Sequence, residues 1–153
     1  MASRVQLALR VPDLAESVAF YSKLFGTAPA KLRDGYANFA IADPPLKLVL
    51  IEGASGEATR MDHLGVEVDS TEAVLTAATR LSEAGLVTAE EIDTTCCYAL
   101  QDKVWAHGPG QEPWEVYVVK ADADSLTKQQ SSTCCTRPAE TDIQEPVTGG
   151  GCC

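Results

Sequence analysis

Two adjacent cysteines, Cys96 and Cys97, are the residues of this sequence with the clearest chemical potential. They follow Thr94-Thr95 and precede Tyr98, inside a segment with the composition of a folded domain. Neighbouring thiolates can chelate one soft, thiophilic atom such as trivalent arsenic, cadmium, mercury or zinc. The alternative is a pair of small, partly buried apolar residues.

The other four cysteines also occur as adjacent pairs, at Cys134-Cys135 and Cys152-Cys153. A disulfide framework needs cysteines that link distant segments, and no CxxC or zinc-finger spacing is present. We therefore expect binding by neighbouring sulfurs, with the two C-terminal doublets capturing a metal or metalloid and passing it inward. An unstructured tail with incidental cysteines is the alternative.

Three further residues could form a metal site: Gln6, His63 and Glu115. Each lies in a predicted strand whose apolar residues have the opposite parity, so all three are expected on the face away from the helices. An imidazole and a carboxylate in an open site suit divalent iron, manganese or zinc, and ferrous iron in particular when oxygen must also bind. His107, before Gly108-Pro109-Gly110, is expected to be a turn residue.

The elements that must position these residues occur twice. Residues 3–52 and 60–120 each show the pattern βαβββ, and an offset of 57 (63 − 6) places Gln6 on His63 and brings the apolar residues of the two strands into register. This duplication predicts one α+β domain over residues 1–120, whose two halves form an open trough lined by the three candidate ligands.

Local signals set the expected element bounds. Asp13 and Ser70 are predicted helix caps, and Gly26 and Gly85 are predicted helix stops. After residue 120 the hydrophobic periodicity ends, so residues 121–153 are predicted to form a disordered tail. Strands are predicted at residues 29–33, 36–41, 46–51, 63–68, 90–94, 97–101, 103–107 and 114–119.

Composition narrows the class of partner. The 153-residue chain is 45% apolar and 22% charged, which is ordinary for a soluble domain, and its net charge of −10 argues against nucleic acid or an anionic membrane as the partner. No apolar run reaches the about 18 residues of a membrane span, and the N-terminus lacks the apolar core of a signal peptide. We expect a cytoplasmic protein with reduced thiols.

Several motifs resemble those of a known family. The repeated βαβββ pattern, with Phe20-Tyr21-Ser22-Lys23-Leu24-Phe25-Gly26 and Asp62-His63-Leu64-Gly65, is similar to the vicinal oxygen chelate superfamily, which includes glyoxalases and extradiol dioxygenases. More narrowly, the chain resembles the carbon–arsenic lyases, which are ferrous-iron-dependent organoarsenical dioxygenases also known as cadmium-induced proteins. The motifs of this narrower resemblance are Thr94-Thr95-Cys96-Cys97-Tyr98-Ala99, Asp102-Lys103-Val104-Trp105 and Trp114-Glu115-Val116-Tyr117.

The resemblance implies a cofactor, Fe(II), held by His63 and Glu115, with Gln6 at a position that usually holds histidine. An amide oxygen is a weaker donor than imidazole. The resemblance also implies that Cys96 and Cys97 bind the trivalent arsenic of the substrate. Molecular oxygen would be the co-substrate for oxidative cleavage of methylarsenite, and of trivalent aromatic arsenicals, to arsenite and an oxidised carbon fragment.

Three aromatic residues are expected near this pocket: Tyr98, Trp105 and Tyr117. For Trp105, packing in the core is the alternative. The trough of such folds can be built within one chain or between two. A monomer and a homodimer are therefore both compatible with the sequence, and two repeats in one chain favour the intrachain site.

Two other functions stay open on the sequence alone. A sequestering protein would bind arsenite or cadmium through its cysteine doublets without catalysis, and Gln6 in place of histidine favours this reading slightly. A glyoxalase-like isomerase would need a second carboxylate ligand in the first half, where Glu52 is the only nearby candidate.

Overall fold

The computed structural model describes residues 2–126 and 129–130. Within these residues the chain forms two helices and nine strands. In chain order they are β1 (Arg4–Val11), α1 (Leu14–Phe25), β2 (Lys31–Arg33), β3 (Tyr36–Ile41), β4 (Leu46–Glu52), β5 (Arg60–Glu67), α2 (Thr71–Glu83), β6 (Thr88–Cys96), β7 (Ala99–His107), β8 (Pro113–Asp122) and β9 (Gln129–Gln130).

The described strands pair into one mixed sheet in the order β2-β3-β4-β1-β5-β8-β7-β6-β9. In the first half β1 pairs in parallel with β4, and in the second half β5 pairs in parallel with β8. The antiparallel pair β1–β5 joins the two halves at the centre of the sheet. The predicted βαβββ duplication and the predicted α+β trough fold are confirmed.

Both helices begin and end at the predicted signals. The Asp13 carboxylate accepts a hydrogen bond from the Glu16 N–H, and Gly26 ends α1 with a left-handed φ of 64°. The Ser70 hydroxyl caps α2 in the same way, and Gly85 follows that helix with a φ of 84°. These caps fix the length of each helix and thereby which residues it turns toward the sheet.

The two helices cover one face of the sheet. Leu14 of α1 packs with Val11 and Phe39 in one cluster, and Val74 of α2 packs with Val118 in another. Because side chains alternate along a strand, the residues between these core positions point to the opposite face. That uncovered face is the inside of the trough.

The sheet curls until its two ends touch. The Tyr98 hydroxyl, in the turn between β6 and β7, donates to the Asp34 carbonyl at 2.9 Å, and the Tyr36 and Tyr98 rings lie 5.4 Å apart. Lys31 Nζ donates to the Tyr98 carbonyl at 3.1 Å. The β6–β7 turn therefore closes one end of the trough.

Two predictions differ from the structure. The predicted strands 97–101 and 103–107 are one continuous strand, because the Asp102 side chain is buried and hydrogen-bonded and does not mark a turn. The sheet also extends past residue 120, since β8 continues to Asp122 and β9 pairs with β6. Residues 131–153 lie outside the described residues, including the predicted capture residues Cys134, Cys135, Cys152 and Cys153.

Neither helix in the described part of the chain combines the length and the apolar character needed to cross a membrane.

Candidate metal and thiol site

The three predicted metal ligands meet on the inner face of the trough. Gln6 of β1 lies opposite Gly65 of β5, and Gly65 lies opposite Glu115 of β8, so register alone brings the first and third ligand together. Glu115 Oε1 lies 2.8 Å from Gln6 Nε2 and 3.3 Å from His63 Nε2. Gln6, His63 and Glu115 are all buried. The structure thus brings together the whole predicted set.

Gly65 is the small residue that allows this approach. A Cβ at this position would lie 3.0 Å from Glu115 Cγ, 3.1 Å from the Glu115 carbonyl oxygen and 3.4 Å from Gln6 Nε2. A methyl group here would therefore press on Glu115 and push it by a few tenths of an ångström, while it would meet Gln6 at ordinary contact distance.

We expect Gly65→Ala to weaken divalent metal binding about 10- to 100-fold, the range typical for loss of a contact that orients a ligand. Isothermal titration with Co(II) measures the affinity. Gly110→Ala is the matched control, because its Cβ would meet only the Glu112 side chain. Both residues lie in the connection between β7 and β8. Equal Co(II) affinity in the Gly65 variant and the wild type would contradict this prediction.

Two charged side chains orient the candidate ligands from outside. Asp62 Oδ2 lies 2.8 Å from His63 Nδ1, and Lys103 Nζ lies 2.7 Å from Glu115 Oε2. These contacts leave His63 Nε2 and Glu115 Oε1 directed into the site. Such outer partners are a regular feature of metal-binding histidines and carboxylates.

The same contacts set the charges of the site. The hydrogen bond to His63 is the main cause that lowers the pKa of Asp62 to about 2. Burial disfavours the imidazolium of His63, but Asp62 and Glu115 outweigh burial and raise its pKa to about 9. Burial likewise opposes ionisation of Glu115, and His63 and Lys103 outweigh it and lower its pKa to about 2. Glu115 is therefore an ionised, anionic ligand.

Lys103 is the site residue that sequence reasoning missed. Its side chain is only 3% exposed, and its ammonium lies over the rings of Trp105 and Tyr117, at 5.3 and 5.8 Å from their centroids. Lys103 has the same strand parity as Trp105, and in the folded sheet it lies opposite Tyr117. A lysine on the inner face of a sheet needs an anionic partner, which is Glu115.

The donor set fits a divalent metal ion through two strong ligands and one adjustable one. His63 Nε2 and Glu115 Oε1 are of the right type and adjacent. Gln6 directs its Nε2 to these two atoms, while its Oε1 accepts a hydrogen bond from the Tyr117 hydroxyl. A half-turn of the amide would direct Oε1 into the site, and the Tyr117 oxygen could then accept from Nε2. The third candidate donor is an amide and not a His, Cys, Asp or Glu side chain. Among the described residues there is no group of three such side chains that could hold a metal ion.

The cysteine doublet lies on a constrained turn. Cys96 pairs with Ala99 across β6 and β7, which leaves Cys97 and Tyr98 as a two-residue hairpin turn with φ values of 55° and 58°. A left-handed conformation costs a non-glycine residue about 1–3 kcal/mol, and such strain is concentrated at functional sites. The Cys97 and Tyr98 amides compensate by donating to the carbonyls of Leu126 and Ser125.

The two sulfurs of the doublet are reduced and adjacent. Cys96 Sγ and Cys97 Sγ lie 3.2 Å apart, well beyond the about 2.05 Å of a disulfide bond. The hydrogen bond between them is the main cause that lowers the pKa of Cys96 to about 7, and the positive charge of Lys103 contributes. The same hydrogen bond and burial raise the pKa of Cys97. Of the two thiols, Cys96 is the one whose ionisation is favoured, with Cys97 as its hydrogen-bond partner.

This asymmetry predicts a pH profile for alkylation. Since the thiolate is the reactive form, the rate at which iodoacetamide modifies Cys96 should rise with pH and reach half its maximum near pH 7. Cys97→Ala removes the donor and should move that midpoint up, toward the about 8.5 of a free cysteine. Peptide mass spectrometry separates Cys96 from the other five cysteines. A wild-type midpoint at the free-cysteine value would contradict the assignment.

Cys97 of the doublet and the candidate metal ligands border one cavity. Its volume is about 40 Å³, and its lining includes Cys97 together with Gln6, His63 and Glu115. Gln101 also lines it, and Gln101 Oε1 is a buried acceptor without a hydrogen-bond partner among the residues that the structure describes. The cavity is far smaller than the about 150 Å³ that holds a benzene ring, so it suits a ligand of few atoms.

None of the three predicted aromatic residues belongs to the lining of this cavity, but each contacts a residue that does. The Trp105 ring meets the His63 ring edge-on, with centroids 5.6 Å apart, so Trp105 lies on the trough face and not in the core under α2. Tyr117 is buried and reaches the site through Gln6, and Tyr98 packs on Tyr36. His107 is the exposed last residue of β7, paired with Pro113, and it is therefore a strand residue and not the predicted turn residue. It does not belong to the lining of the cavity.

Sequence comparisons identify related proteins of the same length. The sequence profile of the Glyoxalase/Bleomycin resistance protein/Dioxygenase superfamily matches residues 4–116. A trivalent organoarsenical cleaving enzyme of Thermomonospora curvata is 67% identical over 151 residues, which cover 99% of each chain. A cadmium-induced protein of Mycobacterium tuberculosis is 60% identical over 124 residues, which cover 81% of each chain.

A structural comparison supports the fold. An extradiol ring-cleaving dioxygenase from B. fuscum matches with a TM-score of 0.56 at 21% sequence identity, and the match covers 79% of this chain and 34% of that protein. At this level of identity the likeness describes the arrangement of strands and helices alone.

Proposed function

Because this chain belongs to the Glyoxalase/Bleomycin resistance protein/Dioxygenase superfamily, and within it to the family of trivalent organoarsenical cleaving enzymes and cadmium-induced proteins, we propose that it cleaves the carbon–arsenic bond of trivalent organoarsenicals with ferrous iron and oxygen. The proposed substrate is methylarsenite, and the proposed product is arsenite.

One observation carries this proposal: a thiol of the doublet and three candidate metal ligands border the same small cavity. A protein that only stores a soft ion needs sulfurs but has no use for an adjacent imidazole–carboxylate pair. Conversely, a metal site alone would not explain a strained turn that holds two sulfurs at 3.2 Å. Both parts have a use when one arsenic atom must be held next to a metal.

Each residue of the site then has a role. Cys96 and Cys97 bind the arsenic atom as a dithiolate, and this chelation converts a bimolecular encounter into an effectively intramolecular one. His63 and Glu115 would hold Fe(II), with Gln6 as a third, weaker donor. When bound there, ferrous iron supplies the one-electron chemistry that lets molecular oxygen react with an organic group. Asp62 and Lys103 keep the two strong ligands in orientation.

The size of the cavity favours the smallest substrates. A volume of about 40 Å³ accommodates a methyl group but not a phenyl ring. We therefore expect a higher kcat/KM for methylarsenite than for trivalent phenyl arsenicals.

Metal dependence and product analysis test the proposal. Apo-protein is loaded anaerobically with Fe(II), Mn(II) or Zn(II), methylarsenite is added, air is admitted, and arsenic species are separated by chromatography with mass detection. The proposal predicts arsenite from the Fe(II)-loaded protein and none from the Zn(II)-loaded protein, because zinc has no redox chemistry. Arsenite formation with zinc, or none with any of the three metals, would contradict it.

Sequestration without catalysis is the second candidate function, and one observation favours it. Gln6 directs an N–H, not an oxygen, toward the other two ligands, which is unfavourable for a cation at that point. This function predicts stoichiometric binding of methylarsenite or cadmium, with every bound arsenic atom still methylated after exposure to air.

A further inference from the structure

Asp102 is a buried carboxylate in β7, the strand that follows the cysteine turn. It lies on the helix side of the sheet, next to two β-bulges. In β6 the pairing with β7 shifts by one residue between Glu91 and Thr94, and Asp93 has a positive φ of 51°. In β8 the pairing with β7 shifts slightly nearer the cysteine turn, between Leu100 and Gln101, where Lys120 is the extra residue. Asp102 of β7 lies between the two bulges.

The Asp102 carboxylate ties these bulges together. It is fully buried and accepts hydrogen bonds from the Asp93 N–H at 2.8 Å, from the Thr71 hydroxyl at 2.5 Å and from Lys120 Nζ at 3.2 Å. Lys120 also forms an ion pair with Asp93. One side chain therefore satisfies the backbone of one bulge, the extra residue of the other and the start of α2.

The bulge in β6 determines which residues face the cavity. With the extra residue in place, Thr94 lies opposite Gln101, and Cys96 lies opposite Ala99. Gln101 and Ala99 both line the cavity. Without the extra residue the alternation would shift by one, because a one-residue slip moves every side chain of a strand to the other face. Cys96 would then change faces, and the turn that brings Cys97 into the lining of the cavity would move with it.

We propose that Asp102 is a positioning residue for the arsenic-binding cysteine pair: by holding the Asp93 and Lys120 bulges on both sides of β7, it sets the register in which Cys96 and Cys97 meet the cavity. The proposal rests on the proposed function only for the identity of the ligand. The metal site does not depend on this register, since Gln6, His63 and Glu115 belong to strands β1, β5 and β8, and Glu115 lies outside the shifted part of β8.

The test separates the two halves of the site. Asp102→Ala leaves the Asp93 N–H without its acceptor, and we expect the affinity for methylarsenite to fall about tenfold or more, in line with the cost of an orphaned buried donor. The half-maximal pH of Cys96 alkylation should rise in parallel. Co(II) affinity should stay within about twofold of wild type, since the ligand shell is untouched. A parallel loss of Co(II) and methylarsenite affinity would show a general structural role and overturn the proposal.

Two further variants keep the proposal falsifiable if Asp102→Ala does not fold. Asp102→Asn retains an oxygen that can accept from the Asp93 N–H and should restore most of the methylarsenite affinity. Asp93→Pro, at an exposed position, removes that N–H and excludes the positive φ, so it should reproduce the split between thiol and metal binding. Wild-type methylarsenite affinity in Asp93→Pro would overturn the proposal.

The readouts also distinguish this inference from the proposed function. Alkylation of Cys96, binding of methylarsenite and binding of Co(II) all proceed without turnover. If the wild type binds methylarsenite but never releases arsenite, the proposed function fails. The role of Asp102 would still be confirmed or overturned by the binding data of its variants.

Discussion

Replacing His63 with alanine is expected to abolish arsenite formation while methylarsenite stays bound to the cysteine pair. His63 Nε2 is one of two strong donors in the site, and its removal leaves Glu115 with a single amide beside it. Loss of a partner that merely orients a ligand costs about 10- to 100-fold in metal affinity, so loss of the ligand itself should cost more.

The control for this variant is His107→Ala, which removes the other of the two histidines in the sequence from an exposed position at the end of β7. It should behave as wild type. Turnover is measured by arsenic speciation, and binding is measured by titration with methylarsenite under anaerobic conditions. The division into a metal site and a thiol site would be refuted if His63→Ala lost arsenite formation and methylarsenite binding to the same extent.

Cys96→Ser should have the complementary effect and weaken methylarsenite binding at least about 100-fold. The arsenic atom would then be held by one thiolate in place of two, so the gain in affinity from a tethered second donor is lost. Cys97→Ser should weaken binding similarly, since the second sulfur is the one that lines the cavity. Co(II) affinity should not change in either variant.

The C-terminal cysteines provide the matched control for this experiment. Cys134→Ser combined with Cys135→Ser removes a doublet of the same chemistry from the part of the chain outside the described residues. We expect the affinity of the cavity for methylarsenite to be unchanged. If instead the tail variant lost binding and Cys96→Ser retained it, arsenic would be bound by the tail and not by the β6–β7 turn.

Much of this site follows from strand parity. In β1 and β8 the apolar residues of one parity pack under the helices, which places Gln6 and Glu115 on the other face without any knowledge of the register between strands. The same alternation of apolar residues in β5 places His63. The internal repeat adds that β1 and β5 are equivalent, and equivalent central strands are neighbours in the sheet. The relatives confirm the predicted family and, with it, the assignment of the chain as an enzyme.

The features that sequence could not supply are the irregular ones. The β6 bulge depends on a hydrogen bond between Asp93 and Asp102, which only the folded sheet brings together. The predicted break at residue 102 is wrong for a related reason, because the partners of the Asp102 carboxylate come from β6, β8 and the start of α2. Lys103 was overlooked since its partner, Glu115, comes from a different strand.

The charges of the cysteine pair likewise depend on tertiary structure. The pKa of Cys96 is lowered by a hydrogen bond from its neighbour and by Lys103, and the turn that imposes this geometry is held by the carbonyls of Ser125 and Leu126. Those two residues belong to a segment that the sequence had assigned to the tail. The doublet could therefore be predicted from the sequence as a candidate soft-ion ligand, but the difference between its two thiols could not.

Oxygen consumption in a single turnover tests the central claim most directly. Methylarsenite plus one O2 gives arsenite plus formaldehyde, and atoms and electrons balance without an added reductant. The stoichiometric complex of Fe(II)-loaded protein and methylarsenite is mixed with a limiting amount of oxygen, and oxygen and arsenite are counted together. The account predicts one O2 consumed for each arsenite released. Arsenite released without oxygen consumption, or oxygen consumed while the arsenic stays methylated, would contradict it.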